Sequence, residues 1–271
     1  MKTKPSIILS NYIRAHSLKM VHEANASHIG GSLSISDILA VLYEDILIYD
    51  PKNIKYEDRD RFILSKGHCC SALYATLALK DFFSINNLSK FTKFGSDYMS
   101  HVSHKVKGVE FSTGSLGHGL PFAVGKALAS KLKKKNWKVF VLLSDGELNE
   151  GSNWEALMFA SHHKLDNLTV IIDYNKLQSL TTIEKTLRLE PLKKKFDSFG
   201  CCTFEIDGHN HYQLNKYLSK KFKKRNKPKI IIANTIKGKG VSFMENEIKW
   251  HYKSPDKMQL DNALKQIGLE I

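Results

Sequence analysis

Two short polar segments carry the side chains best suited to hold a metal ion and a phosphate. The first, SDGELNEG, begins at Ser144, and the second, DYNKLQ, begins at Asp173. Both follow apolar runs, so Asp145 and Asn175 are expected at the tips of neighbouring strands, where they can converge. Mg²⁺ prefers oxygen ligands of this kind, and Gly146 lets a phosphate approach the N-terminus of the next helix. The alternative interpretation is an ordinary turn at Asp145-Gly146 with Asn175 as a helix cap.

Uninterrupted apolar runs separated by helical segments predict the scaffold that positions these residues. Strands without polar alternation are typical of a parallel sheet covered on both faces. We therefore predict an α/β fold, a doubly wound and mostly parallel sheet with helices on both faces and a helical N-terminal extension. Ligands of such sheets bind beyond the carboxyl ends of the strands. The predicted strands are Arg61–Leu64, Val139–Leu143, Leu168–Ile172, Thr203–Ile206 and Ile230–Ala233.

Helical periodicity fills most of the remaining chain, and residues 1–271 are predicted to form a single domain. Ser36 and Asp37 are expected to cap the second helical segment, which runs through Leu47. Periodicity fades over residues 87–111, which are predicted to be a long functional loop. The other predicted helices are Ile7–Glu23, Gly67–Leu79, Gly117–Lys135, Asn153–His163, Pro191–Phe199 and His209–Phe222.

Composition excludes several broad classes of protein. The chain has 271 residues, 42% of them hydrophobic, so it can bury a core and is not expected to be disordered. Its 41 Lys and Arg outnumber 27 Asp and Glu, which gives a formal net charge of +14. The basic clusters Lys131–Lys138, Lys193–Lys195 and Lys220–Lys229 follow helical segments, where cations favour the helix dipole. We therefore interpret them as solvated surfaces rather than as a nucleic-acid site.

The cysteines and the hydropathy pattern indicate a cytoplasmic protein. Cys69-Cys70 and Cys201-Cys202 are adjacent pairs that lack zinc-site spacing. No apolar run approaches about 18 residues, so neither a signal peptide nor a membrane span is expected.

Four segments, in order along the chain, resemble the transketolase family. Ala24–Ser34 is similar to that family's first histidine loop, Asp60–His68 to the second, and Gly108–Gly119 to the cofactor loop. SDGELNEG with DYNKLQ is similar to the thiamine diphosphate-binding motif. Ser144 replaces the usual first glycine of that motif, His118 a common glutamine and Ile29 a frequent proline. The resemblance implies the thiamine diphosphate-binding fold.

The resemblance also implies two bound groups, thiamine diphosphate and Mg²⁺. The metal would be held by Asp145, Asn175 and the carbonyl oxygen of Leu177. The residues implied to contact the cofactor are His68, Gly114, Ser115, Leu116, Asp145, Gly146, Glu147, Asn175 and His251.

Further residues would act on the substrate or at a boundary between chains. By resemblance, His28 and His101 would bind sugar hydroxyls and help transfer protons, and His68 and His251 would contact the diphosphate or the thiazolium face. Imidazole suits this work because it donates and accepts protons near neutral pH. Glu150 would join a carboxylate network between subunits. An arbitrary histidine is more often structural, which is the interpretation for His104, His118, His162 and His163, and Cys69-Cys70 is expected to be core.

The family's second, pyrimidine-binding domain has no counterpart in this sequence. About twenty residues follow His251, and the carboxylate that activates the cofactor would have to come from another chain. The resemblance therefore implies the diphosphate-binding subunit of a two-chain transketolase. It would transfer a two-carbon ketol unit between sugar phosphates together with a C-terminal subunit, in an α₂β₂ assembly. The alternatives are a subunit of a 2-oxoacid dehydrogenase E1 or acyloin-forming enzyme, and a non-catalytic nucleic-acid-binding or scaffold protein.

Overall fold

A parallel β-sheet forms the centre of the computed structural model, which describes residues 4–219 and 226–269. Five strands are present in this part of the chain, and they lie in the order β1-β2-β3-β5-β4, every neighbouring pair being parallel. The predicted sheet is confirmed. The strands are β1 (Arg61–Leu64), β2 (Val139–Ser144), β3 (Leu168–Tyr174), β4 (Cys202–Asp207) and β5 (Lys229–Asn234).

Helices cover both faces of this sheet. One apolar core joins helices α1–α4, α9 and α10 to one face, and a second core joins α5–α8 to the other. The helices are α1 (Pro5–Glu23), α2 (Ile29–Ser34), α3 (Ser36–Val41), α4 (Cys70–Leu79), α5 (Gly119–Leu132), α6 (Gly151–His162), α7 (Ile183–Thr186), α8 (Leu192–Ser198), α9 (His211–Leu218) and α10 (Lys257–Ile267).

The central strands are apolar without alternation because both of their faces are buried. Along β2, Phe140 and Leu142 pack into the first core, and Val141 and Leu143 pack into the second. Side chains alternate between the two faces of a strand, so an all-apolar segment is stable only where both faces are covered. The doubly wound α/β fold predicted from the sequence is therefore confirmed.

The predicted cap at Ser36 and Asp37 is wrong. Ile35 precedes α3, the Ser36 hydroxyl donates to the carbonyl of Ser32, and the buried Asp37 binds side chains of other elements. Helix α2 begins at Ile29 and continues almost directly into α3. The N-terminus of α3 is therefore not exposed, and no side-chain cap is needed there.

Several other element boundaries differ from the prediction. The predicted loop over 87–111 includes the end of a 3₁₀ segment, Ile85–Lys90, and otherwise has no helix or strand among its described residues. The predicted helix His209–Phe222 begins two residues later, and its last three residues lie outside the described ranges, as do Lys220–Arg225 of the third basic cluster. Helices α2, α7 and α10 were not predicted. Within residues 4–219 and 226–269, no helix is long and apolar enough to cross a membrane.

Candidate active site

A cavity of about 320 Å³ opens at the carboxyl ends of four adjacent strands, β1, β2, β3 and β5. Its volume is within the range of small-molecule and cofactor sites, and its position is the one expected of a doubly wound sheet. Its lining comes from the strand tips, the start of α2, the loop that precedes α5 and the end of the 3₁₀ segment Ile248–His251. These are His28, Gly31, Lys66, His68, His101, Gly114, Leu116, Ser144, Asp145, Gly146, Asn175, Leu177, Gln178, Ser179, Lys237, His251 and Tyr252.

Strand register brings the two polar segments together as predicted. Ser144 pairs with Asp173, so Asp145 and Asn175 leave the sheet side by side. The Oδ2 atom of Asp145 accepts the backbone N–H of Lys176 at 2.7 Å. The Oδ1 atom of Asn175 accepts the N–H of Leu177 at 3.1 Å. Three oxygen donors, a carboxylate, an amide and the carbonyl of Leu177, therefore lie along one wall.

A buried ion pair lies beneath this wall. The Lys66 ammonium donates to the carboxylate of Asp173, and both side chains are almost fully enclosed. Ser34 and Asn175 also donate to Asp173 Oδ2, at 2.7 and 3.1 Å. Burial opposes ionisation of Asp173, but Lys66 and the hydrogen bonds from Thr235 and Ser34 hold the pKa of Asp173 below its usual value. Asp173 is therefore a structural anion that anchors Lys66 and Asn175.

The carboxyl group of Asp145 is buried in an environment that disfavours its charged form. It is 1% exposed, and burial followed by repulsion from Asp173 raises its pKa to about 7. A divalent cation beside it would favour its ionised form. In the described ranges, no three His, Cys, Asp or Glu side chains form a metal-binding group. The candidate set combines one carboxylate with amide and carbonyl oxygens, which is donor chemistry suited to Mg²⁺.

Lys237 extends into the cavity from the loop after β5. Its ammonium donates to the carbonyl oxygens of Leu177 and Gln178, at 3.3 and 3.1 Å, and lies 3.1 Å from His251 Nδ1. Burial, followed by the positive charge of Lys66, lowers the pKa of Lys237 to about 8. Two lysines thus bring positive charge to a cavity that also holds a carboxylate, as expected of a site for an anionic ligand.

The four predicted histidines meet in one cluster. The ring centroid of His28 lies 5.1 Å from that of His68, 5.9 Å from His101 and 4.8 Å from His251. His28 has a φ of 73°, a strained left-handed conformation for a residue other than glycine. Its backbone N–H donates to the carbonyl of His251 at 2.8 Å, which holds both loops in place.

Electrostatics keep this cluster neutral at physiological pH. Burial is the main cause in each case, and neighbouring positive charge adds to it. The pKa of His28 is lowered to about 4 and that of His251 to about 3, and the pKa of His68 lies well below its usual value. A neutral imidazole presents one donor and one acceptor nitrogen, so the cluster can bind hydroxyl groups and exchange protons with them.

Gly114 lies so close to the ring of His101 that a residue with a side chain would not fit there without a shift. A Cβ atom at this position would lie 3.1 Å from Cδ2 of His101 and force the ring to move. The glycine therefore allows the cofactor loop to pack against the imidazole.

Three predicted site residues lie outside the cavity lining. Glu147 is fully buried below the strand tips, where it accepts from Ser65 Oγ at 2.5 Å and from the N–H of Gly117 at 3.0 Å. Ser115 and Glu150 are exposed. Glu147 therefore ties the cofactor loop to β1, and the roles predicted for all three stay predictions.

Residues predicted to be structural also lie outside the lining. His104 bonds Ser112 through Nδ1 at 2.7 Å. Cys69 and Cys70 are free and buried in the core. The remaining members of this set, His118, His162 and His163, are not part of the cavity wall.

Sequence reasoning gave no site role to seven of the lining residues. Lys66 and Lys237 carried one signal that could have found them, since Lys66 follows the predicted strand Arg61–Leu64 by two residues and Lys237 follows the predicted strand Ile230–Ala233 by four. Tyr252 follows His251, but its type and spacing gave no comparable signal. The other four lie within or directly after the segments that resemble the family, and they are Gly31, Ser144, Gln178 and Ser179.

A family model described as transketolase, thiamine diphosphate binding domain, matches residues 6–270. The chain belongs to the transketolase family. The predicted family, fold and cofactor class are confirmed, and the chain is the thiamine diphosphate-binding part of a transketolase-type transferase. The match favours this class of enzyme over the 2-oxoacid dehydrogenase and scaffold alternatives.

Two similar bacterial proteins are named as subunits of transketolases. One, a subunit of the apulose-4-phosphate transketolase of Phocaeicola vulgatus, is 40% identical over 258 residues, 95% of this chain and 92% of that protein. The other, the 6-deoxy-6-sulfo-D-fructose transketolase subunit SqwG of a Clostridium species, is 40% identical over 243 residues, 89% of this chain and 88% of that protein.

Single-chain transketolases are matched over less than half of their length. Human transketolase is 34% identical over 263 residues, which are 97% of this chain and 42% of the human protein. The crystal structure of transketolase from Campylobacter jejuni superposes with a TM-score of 0.94 at 33% identity, covering all of this chain and 44% of that one.

The residues present fit thiamine diphosphate and its metal. The oxygen donors of Asp145, Asn175 and Leu177 suit Mg²⁺, and Lys66 and Lys237 complement a diphosphate. Gln178 Nε2 is buried and has no hydrogen-bond partner among residues 4–219 and 226–269, which leaves a donor available at the cavity wall. Such an unpaired buried group is costly unless a ligand satisfies it.

Proposed function

We propose that this chain is the diphosphate-binding subunit of a two-chain transketolase. The observation that carries the proposal is the convergence of three oxygen donors, two lysines and four neutral histidines in one cavity. A separate C-terminal subunit supplies the pyrimidine-binding domain, and the complete site forms where the two chains meet. Support for the division comes from the Phocaeicola protein, which is named as a subunit and is matched over 92% of its length.

One part of the cavity holds the cofactor. Asp145, Asn175 and the carbonyl of Leu177 bind Mg²⁺, and Lys66 and Lys237 place positive charge next to the diphosphate. Gly146 leaves room for the phosphates because it has no side chain. Thiamine diphosphate, when bound, supplies the electron sink through which a two-carbon ketol unit moves between sugars.

The histidine cluster binds the sugar substrate. His28 and His101 bind substrate hydroxyls, while His251, which contacts Lys237, and His68 face the cofactor. Because the pKa values of His28 and His251 lie far below 7, both imidazoles are neutral at physiological pH and present one donor and one acceptor nitrogen to hydroxyl groups. Water is excluded from the reacting atoms when the partner chain covers the cavity.

The assembly and location are further parts of the proposal. We assign an α₂β₂ heterotetramer, in which exposed Glu150 lies at a boundary between chains and the buried Glu147 and exposed Ser115 shape the cofactor loop. The cytoplasm is the proposed compartment, because the buried free thiols Cys69 and Cys70 are typical of a reducing environment.

Substrates are proposed as ketoses and aldoses with a terminal anionic group, such as the sugar phosphates of the pentose phosphate pathway. The two bacterial relatives are named for a phosphorylated and a sulfonated sugar. The basic surface of this chain, with a formal net charge of +14, attracts such anions. A substrate panel of xylulose 5-phosphate, fructose 6-phosphate, their sulfonated counterparts and the corresponding uncharged ketoses, each with ribose 5-phosphate, tests this class. Equal turnover of uncharged ketoses would contradict it.

A complementation assay tests the division into two chains. The purified chain is assayed for ketol transfer by itself and after mixing with its pyrimidine-binding partner chain. Activity is expected from the mixture only, and it should require thiamine diphosphate and Mg²⁺. Substantial activity of the chain by itself would overturn the two-chain proposal.

A further inference from the structure

A buried polar network around Asp37 contacts the loop after β5, which carries Lys237 into the cavity. The carboxylate is buried in α3 and accepts from Arg14 Nη2 at 2.5 Å and from His209 Nδ1 at 2.7 Å, both on Oδ2. His211 Nε2 lies 3.0 Å from Oδ1. These four side chains lie outside the cavity lining, so none of them can contact a ligand bound there.

Two members of this network continue to the loop after β5. His209 Nε2 accepts the backbone N–H of Ile236 at 2.8 Å. Because Nε2 accepts, the ring proton is on Nδ1 and is donated to Asp37, which fixes the tautomer. Arg14 Nε donates to the carbonyl of Lys239 at 3.0 Å. The backbone on both sides of Lys237 is therefore bonded to the Asp37 network.

Lys237 is the residue that this anchored loop places in the cavity. It is 2% exposed, and its ammonium meets the carbonyls of Leu177 and Gln178. The next residue, Gly238, donates its N–H to the carbonyl of Gly30 in α2 at 2.9 Å. A small shift of Ile236 would move the long side chain relative to the wall where the diphosphate is proposed to bind.

We propose that Asp37 and His209 form a positioning pair that acts through the Ile236 amide to hold Lys237 at the diphosphate site. This inference rests on the proposed function, because it assigns Lys237 a role toward the cofactor. A buried charged cluster is a weak source of stability compared with apolar packing of the same volume. Stability alone therefore does not explain this cluster. The hydrogen bonds that lead from Asp37 through His209 to the loop that carries Lys237 give it a positioning role.

His211 offers a matched control for His209. Both rings bond the same carboxylate, but the second nitrogen of His211, Nδ1, bonds Ser6 Oγ in α1 at 2.9 Å rather than the loop. The variant His209→Asn keeps an N–H donor near the position of Nδ1 for Asp37, but its side chain is too short to place an acceptor where Nε2 meets the N–H of Ile236. The variant His211→Gln likewise keeps a donor for Asp37 and loses the bond to Ser6.

Calorimetric titration of the full chain with Mg²⁺ and inorganic pyrophosphate measures the effect at the site, and thermal unfolding measures stability. We expect His209→Asn to weaken pyrophosphate binding about tenfold, the value of one lost charge-assisted interaction. His211→Gln should bind like the wild type even where it unfolds at a similarly lowered temperature. Asp37→Asn weakens the hydrogen bond that holds His209 against Ile236, so it should reproduce the loss in pyrophosphate binding.

A double-mutant cycle with Lys237→Met separates positioning from general damage. If His209 acts through Lys237, adding His209→Asn to Lys237→Met should change pyrophosphate affinity little further. Wild-type affinity in His209→Asn, an equal loss in His211→Gln, or fully additive losses in the double variant would each overturn the positioning role while leaving the proposed function intact. Absence of pyrophosphate binding by the wild-type chain would overturn both.

Discussion

The ammonium of Lys66 and the carboxylate of Asp173 form an ion pair directly beneath the candidate metal ligands, with side chains 2% and 0% exposed. Asp173 lies in β3 and Lys66 follows β1, so the pair spans the strand β2 that carries Asp145 to its tip. The pair links the carboxyl ends of β1 and β3. Among the oxygen donors above it, the side chain of Asn175 is held by the same carboxylate, because its amide donates to Asp173 Oδ2 at 3.1 Å.

Removing Lys66 should therefore cost far more stability than removing an exposed lysine. Lys66→Met leaves Asp173 buried without its counter-charge, and we expect a loss of about 3–5 kcal/mol in the free energy of unfolding. Lys80→Met is the control, because its ion pair with Glu44 is partly exposed and is expected to contribute less than about 1 kcal/mol. Urea unfolding of both variants checks this, and equal losses would contradict the account.

Asp145→Ala should abolish Mg²⁺-dependent binding of thiamine diphosphate. The substitution removes the carboxylate of the oxygen set, and loss of outer-shell partners alone costs metal sites about 10–100-fold in affinity. We therefore expect a loss of at least about 100-fold, measured by titration of the reconstituted enzyme. Asp261→Ala, at an exposed position of α10, is the control and should bind normally. Unchanged affinity in Asp145→Ala would refute the metal assignment.

His28→Ala should affect the sugar rather than the cofactor. Its imidazole lies at the centre of the neutral cluster and is proposed to bind a substrate hydroxyl. We expect kcat/KM of the reconstituted enzyme to fall about 100-fold, the usual contribution of a group that transfers protons. Thiamine diphosphate affinity should stay within the error of the wild type. His163→Ala, on the exposed end of α6, should leave both quantities unchanged; a loss confined to cofactor affinity in His28→Ala would reassign this histidine.

The Asp37 network predicts a specific dependence of stability on pH. Burial opposes ionisation, yet Arg14 and the hydrogen bonds from His209 and His211 hold the pKa of Asp37 well below its usual value. A depressed folded-state pKa stabilises the native protein above the unfolded pKa, and that contribution is lost as pH falls toward the folded pKa. The advantage of wild type over Asp37→Asn should therefore be constant near neutral pH and shrink below about pH 4.5.

Urea unfolding at several pH values measures this advantage. Glu155→Gln, at an exposed carboxylate of α6, is a control that should show no comparable change. An advantage that grows on acidification would show that Asp37 does not carry the buried charge.

The fold and much of the site could be predicted because their signals are local. Uninterrupted apolar strands specify a doubly covered parallel sheet, and Asp145 and Asn175 follow two of those strands directly. The glycine-bearing loops of His28 and His68 carry their own signal in neighbouring residues. Ten of the predicted site residues line the cavity.

What could not be predicted depends on contacts between distant segments. Asp37 looked like a helix cap because its partners, Arg14, His209 and His211, are far away in sequence. Lys237 is one lysine among many, and its burial is set by the packing of its loop against α2. Glu147 belongs to the motif, but the 3₁₀ turn Gly146–Asn149 directs its side chain below the strand tips instead of into the cavity.

Ketol transfer by the reconstituted enzyme distinguishes a two-chain transketolase from a chain that is active by itself. The rate of transfer from xylulose 5-phosphate to ribose 5-phosphate is measured for this chain by itself, for the pyrimidine-binding chain by itself, and for their mixture with thiamine diphosphate and Mg²⁺. We expect activity in the mixture only, and its loss when Asp145→Ala replaces the wild-type chain. Turnover by this chain without its partner would show that it is not one subunit of a two-chain enzyme, and full activity with Asp145→Ala would show that this carboxylate does not hold the metal.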